Sequence, residues 1–168
     1  MTNIMKRLLF FAAVAACLSL LVSCEKEGVT HTGDETGTLY GIWALTTKTE
    51  ISRSSSGDET VKESDYTGNH FYLALSEFPF PHAIAKKGSF KDFDLDDVDI
   101  DAVSFTYNAD TRQISFKKTL WLSDDSLTRN MILKDTFDVV ELTGTDLSIQ
   151  QKESLSNKTI VYSYKRQK

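Results

Sequence analysis

Hydrophobic and polar positions alternate in short runs from residue 39 to the C-terminus, and none of these runs shows the 3.6-residue apolar spacing of a helix. Eight of them fit strands, at 39–52, 60–66, 70–76, 98–108, 113–122, 130–143, 147–153 and 159–166. In the fifth, Ile114, Phe116, Leu120 and Leu122 share one parity and Gln113, Ser115, Lys117 and Thr119 the other, so one face is apolar and one is wet. The last run sets Ile160, Tyr162 and Tyr164 against Ser163 and Lys165, with Val161 the exception. Turn formers separate the runs: Ser54 to Asp58, Asn108-Ala109-Asp110, Gly144-Thr145-Asp146 and Ser156-Asn157-Lys158. Neighbouring runs therefore pair as antiparallel hairpins. Eight such strands, each apolar on one side, close most simply into an up-and-down barrel, because closure removes exposed edges. A two-sheet sandwich is the alternative.

The chain before residue 39 has a different texture. Lys6 and Arg7 precede an uncharged apolar run of 15 residues, 8 to 22, followed at once by Glu25, Lys26 and Glu27. A spanning helix needs about 20 apolar residues, so this order of basic patch, short apolar core and small residues predicts a secretory signal. Its end, Leu21-Val22-Ser23-Cys24, resembles the lipobox of Gram-negative bacterial lipoproteins. That resemblance implies cleavage before Cys24, a diacylglycerol thioether on its sulfur and an acyl chain such as palmitate on the new amino terminus. One acyl chain gives only reversible membrane binding, whereas several make release negligible.

Residues 25–38 are polar and carry three glycines, with Val29 as the one apolar side chain. Such a segment buries too little to offset its ordering entropy and reads as a flexible tether, with a reach of roughly 20 Å. The expected organisation is thus a lipoprotein signal peptide at 1–23, lipidated Cys24 with its tether at 24–38, and a barrel domain at 39–168. The implied location is the cell envelope, lipid-anchored in the outer membrane, facing either the periplasm or the outside. Acidic residues soon after the cysteine resemble surface-export tags, although Lys26 interrupts them.

Charge and cysteine usage narrow the partners. The whole chain has 19 basic and 24 acidic side chains, a net charge of −5. Loss of Lys6 and Arg7 with the signal takes the balance to 17 against 24, or −7. An acidic surface argues against nucleic acid and against docking on anionic headgroups, so the membrane contact is assigned to the lipid on Cys24. Of the two cysteines, Cys17 leaves with the signal, so no disulfide forms within one mature chain.

At Leu39-Tyr40-Gly41-Ile42-Trp43 the chain resembles the first strand of lipocalin and calycin barrels, whose mark is Gly-x-Trp. The resemblance implies that Trp43 plugs the narrow end of a barrel, that Gly41 allows close approach there, and that a basic residue of the last strand lies across the indole. Arg166, which shares parity with Tyr162 and Tyr164, occupies that position. The family's later Thr-Asp-Tyr motif has only Ser64-Asp65-Tyr66 as a counterpart, too early in the chain, so the match is to lipocalin-like barrels in general. It implies a small apolar or amphipathic ligand held in a cup by Trp43, Phe71, Leu73, Phe116, Tyr162 and Tyr164. Phe78-Pro79-Phe80-Pro81-His82 carries both prolines and predicts a loop running to Gly88, with Phe78 and Phe80 as a lid over the mouth. Eight strands leave an interior either just filled or just open to one ligand. The alternative function is accordingly a ligand-free interaction or structural module of the envelope.

No catalytic arrangement emerges. His31, His70 and His82 are scattered, and no phosphate loop, metal-protease helix or Gly-x-Ser-x-Gly elbow is present, so neither an enzyme, a cofactor nor a metal is expected. Asp92, Asp94 and Asp96 have the spacing of a calcium loop, but Asp97 stands where the turn needs glycine and Val103 where a glutamate belongs. The run through Asp99 and Asp101 reads as a solvated loop. Asp125-Ser126-Leu127 and Asp135-Thr136-Phe137 resemble triplets that some envelope proteins use for O-linked sugar.

Overall fold

A computed structural model describes residues 37–89, 91, 101–153 and 155–167. The signal segment, Cys24, all of the tether except Gly37 and Thr38, and Asp92 to Asp99 lie outside the described residues. Within them run nine strands: β1 (Gly41–Arg53), β2 (Glu59–Asp65), β3 (Phe71–Ser76), β4 (His82–Lys87), β5 (Val103–Asn108), β6 (Gln113–Ser123), β7 (Asn130–Leu142), β8 (Asp146–Glu153) and β9 (Lys158–Arg166). A single 3₁₀ turn, Thr67–Asn69, separates β2 from β3.

All pairings are antiparallel, in the order β2-β1-β3-β4-β5-β6-β7-β8-β9, and β1 also pairs with β9. The long first strand makes closure possible. Its first residues pair with β3, from Gly41↔Leu75 to Ala44↔Tyr72, and from Thr47 onward it pairs with β2 instead. Its other edge runs along β9 from Trp43↔Arg166 to Ser52↔Lys158. Eight strands, β1 and β3 to β9, therefore close a lipocalin-like barrel, and β2 continues one wall as a flange.

The strands of the ring are not quite those the pattern predicts. Run 60–66 becomes β2, an edge strand exposed everywhere but at Ser64, with Glu59, Lys62, Glu63 and Asp65 discouraging further pairing. Its place in the ring falls to β4, inside the segment read as a loop. Two prolines immediately upstream and the absence of alternation hide this strand. Ala83 points into the barrel and is fully buried, while the next residue, Ile84, is buried on the outside against Ile42, Tyr72 and Ala74. A strand covered on both faces shows no period of two.

Bulges also shift the inward set. Between Leu45 and Thr47 the register with β9 slips by one residue, so the inward positions of β1 change from Trp43 and Leu45 to Lys48 and Glu50. A second slip between Val139 and Glu141 moves the inward set of β7 from Val139 to Leu142. In β6 five residues, Phe116 to Leu120, oppose three on β7, Asp135 to Leu133, an even excess that leaves Ile114, Phe116 and Leu120 on one face as expected.

Candidate functional site

Glycine opens the closed end. Gly41 has φ 146°, a backbone that side-chain-bearing residues rarely adopt, and it delivers Trp43 into the barrel with no exposed surface. The indole N–H donates to Leu39 O at 2.9 Å. From the last strand the Arg166 guanidinium lies 4.2 Å from the centre of the Trp43 ring. Its Nη1 donates to Tyr40 O at 2.9 Å and its Nη2 to Thr38 O. Gly41, Trp43 and Arg166 are thus one contact, in which a cation both stacks on the indole and ties down the entering chain.

Above this plug the interior is packed with side chains. Phe71, Leu73, Phe116, Tyr162 and Tyr164, proposed above as the walls of a cup, are each 5% exposed or less and belong to one continuous core with Trp43. Aromatic rings cross the interior from β5 to β9: Phe105 to Phe116 at 6.3 Å, Phe116 edge-on to Phe137 at 6.1 Å, and Phe137 to Tyr162 at 6.2 Å. Burial pushes the Tyr162 phenol up to about 12 and the Tyr164 phenol well above its usual range. The Tyr164 hydroxyl rests 3.3 Å from Met131 Sδ.

A polar cluster occupies the other end, and none of its charged members stood out in the sequence. Lys48, 8% exposed, holds Glu50 at 3.0 Å and donates to Asn130 Oδ1 at 3.0 Å. Lys158 meets the other carboxylate oxygen of Glu50 at 3.1 Å. Partial burial alone would raise the Glu50 carboxyl, but the two ammoniums together hold it below the ordinary range. Lys48 also lies 5.7 Å from the centre of the Tyr162 ring.

Beside this cluster the barrel wall is sealed by side chains. Strand β8 pairs with β7 only over Asp138 to Leu142. Further back along β7, the Tyr66 hydroxyl receives Asn130 N–H at 3.0 Å and donates to Asn130 O at 2.9 Å. The Tyr162 hydroxyl does the same at Ile132, at 3.1 and 3.3 Å. Gln151 donates to the carbonyls of Lys134 and Thr136 at 2.7 and 3.1 Å. Two phenols and an amide thus satisfy backbone groups that a neighbouring strand would otherwise take. Tyr66 lies in the triplet set aside above as misplaced.

Phe78 and Phe80 sit apart from the core, 69% and 44% exposed, on the β3–β4 turn. That turn follows Ser76, next to Leu75, which faces Gly41 across the sheet, so it lies at the closed end. Trp121 and Ile132 are opposite one another on the outer faces of β6 and β7 and are also exposed. Among the described residues no group of three or more His, Cys, Asp or Glu is placed to hold a metal ion. Asp124 is the hub of the β6–β7 turn: despite a desolvation penalty, bonds from the Arg129 and Thr128 amides and from the Thr128 and Ser126 hydroxyls hold its carboxyl low.

These features define an all-β protein built on a closed, eight-stranded antiparallel barrel of lipocalin-like form. No family model, curated protein or solved structure matches the chain.

Proposed function

We propose that the protein is a lipoprotein of the bacterial cell envelope, held in the outer membrane through Cys24, and that it works through its outer surface rather than through a cup. The filled interior carries this reading. Six residues suited to line a ligand cavity, Trp43, Phe71, Leu73, Phe116, Tyr162 and Tyr164, are buried together in one core, which supports it. The barrel then serves as a rigid, non-enzymatic scaffold, with its exposed apolar side chains, Phe78, Phe80, Trp121 and Ile132, available for contact. Buried Lys48 and half-buried Glu50 support this role, since with Lys158 they pair with one another and hold strands together.

A second reading is favoured by the wall at Asn130 to Thr136. Hydroxyls and one amide hold it in place of a full strand ladder, so it is the part of the barrel that would part most readily to admit a small apolar or amphipathic ligand. Native mass spectrometry of protein gently extracted from membranes of its own host separates the two. The expected species has the mass of residues 24–168 plus the acyl groups and carries nothing else. A stoichiometric small molecule would overturn the surface reading and leave the carrier. A mature terminus other than acylated Cys24 would overturn the tether.

A further inference from the structure

We propose that the turn from Phe78 to Pro81 is a membrane-docking tip that enters the headgroup region of the bilayer beside the lipid anchor. The inference rests on the tether reading and deepens it. Residues 78–81 contain no charge, and two of the four are prolines.

A polypeptide tip can leave water only if its backbone polar groups are satisfied or missing. Pro79 and Pro81 have no N–H to lose. The carbonyl of Phe78 accepts from Ser76 Oγ at 3.1 Å. That of Phe80 lies 2.8 Å from His82 Nδ1, which donates to it. That of Pro81 accepts from the Phe105 amide at 3.2 Å. Three of the four carbonyls and two of the four nitrogens therefore ask nothing of solvent, while the two phenylalanine rings remain exposed. His82 is 1% exposed and Ser76 7%, so the tip stands on a buried base.

Position supplies the occupant. The chain reaches the barrel at Gly37 to Tyr40 and enters β1 at Gly41, opposite Leu75 and one residue from the end of β3. The turn and the entry point thus share one end of the barrel, and Glu77 lies near enough to Tyr40 to add to the burial that raises its phenol. Between Cys24 and Leu39 there are only 14 residues, a reach of roughly 20 Å. An anchor on that lead holds this end, and not the Lys48 end, toward the lipid. With the anchor holding this end at the bilayer, interfacial side chains settle about 5–10 Å into the headgroup and acyl boundary. Glu77 at the base and the net charge of −7 left once Lys6 and Arg7 depart point to a zwitterionic rather than an anionic surface.

The test uses full-length lipoprotein, processed by its host and reconstituted into phosphatidylcholine vesicles with brominated acyl chains. Phe78→Trp adds a reporter at the tip, and the unsubstituted protein gives the background from Trp43 and Trp121. Docking predicts a blue-shifted added emission that loses roughly half its intensity to bromines near the interface, at the depth typical of interfacial side chains. Phe80→Trp repeats the measurement at the second ring and guards against a misfolded variant. Protein that floats with the vesicles, carries acylated Cys24 and shows an unquenched reporter at both positions overturns docking while leaving the tether intact. Such a tip would face a second copy or another protein. Protein lacking the acyl groups by mass spectrometry overturns both.

Discussion

At one end of the barrel Trp43 and Arg166 join the first and last strands through an indole stacked under a guanidinium; at the other, Lys48, Glu50 and Lys158 join the same two strands through partly buried charge. Both clusters pin β1 to β9, yet they differ in what holds them and in how they could be recognised. The closed end uses apolar area, fixed geometry and one guanidinium that burial lowers from its ordinary value. The polar end balances desolvation against Coulomb attraction, so its net contribution is small and depends on protonation. A barrel built this way has a rigid base and a more conditional rim.

Trp43→Ala tests the difference most severely. Removing a fully buried indole should cost about 3–5 kcal/mol, read as a lower midpoint in urea unfolding. Arg166→Ala should cost less, and the pair should be less than additive by about 0.5–2 kcal/mol, because each partner loses the same stacking. Additive losses would show that Trp43 and Arg166 stabilise the barrel independently of this contact.

Next comes the sealed wall. Tyr162→Phe keeps the ring and removes only the hydroxyl, leaving the N–H and C=O of Ile132 without it, and should destabilise by about 1–3 kcal/mol. Hydrogen exchange at the Ile132 amide should accelerate while exchange along the β8–β9 ladder changes only with global stability. Protection unchanged at Ile132 would mean that the phenol is not what closes the wall.

At the polar end the effects are smaller and pH-dependent. Glu50 is held below its ordinary value of 4.5, so its stabilisation is complete above that pH and is lost as the pH falls through the lower folded value. Glu50→Gln should therefore lower stability at neutral pH and flatten the loss of stability below 4.5, where Asp124 and Asp146, also held low, still contribute. Lys48→Met should shift stability by only about 1 kcal/mol alone, because Glu50 is partly exposed and keeps Lys158, and replacing Lys48, Glu50 and Lys158 together by apolar residues should be close to neutral. A loss there as large as that of Trp43→Ala would erase the contrast between the ends. The smallest change is expected at the exposed tip, where Phe78→Ser together with Phe80→Ser should stay within about 0.5 kcal/mol of the parent in thermal unfolding.

Much of the closed end was legible along the chain because its chemistry is local. Gly41 and Trp43 carry the Gly-x-Trp that resembles lipocalin barrels, and that resemblance implies a basic residue across the indole, where Arg166 has the parity of Tyr162 and Tyr164. The polar end was not. Counting by twos from Trp43 puts Lys48 and Glu50 on the wet face, and only the slip at Thr46 and Thr47 turns them inward. No residue there announces a bulge. Tyr66 was likewise passed over, because its partner Asn130 is 64 residues away and its role is to replace a missing strand. Strand β4 escaped because covering on both faces erases alternation.

By itself, then, the sequence determined an all-β barrel of eight antiparallel strands from its alternation and turns, while short motifs that resemble known families implied the residues that plug its base and a lipid anchor at Cys24. Tertiary structure alone decided which eight strands form the ring, that the aromatic positions are buried in one core, and that two tyrosine hydroxyls hold the wall. Those outcomes depend on register, which a single inserted residue reverses, and on volume, which is settled only when side chains from opposite walls meet.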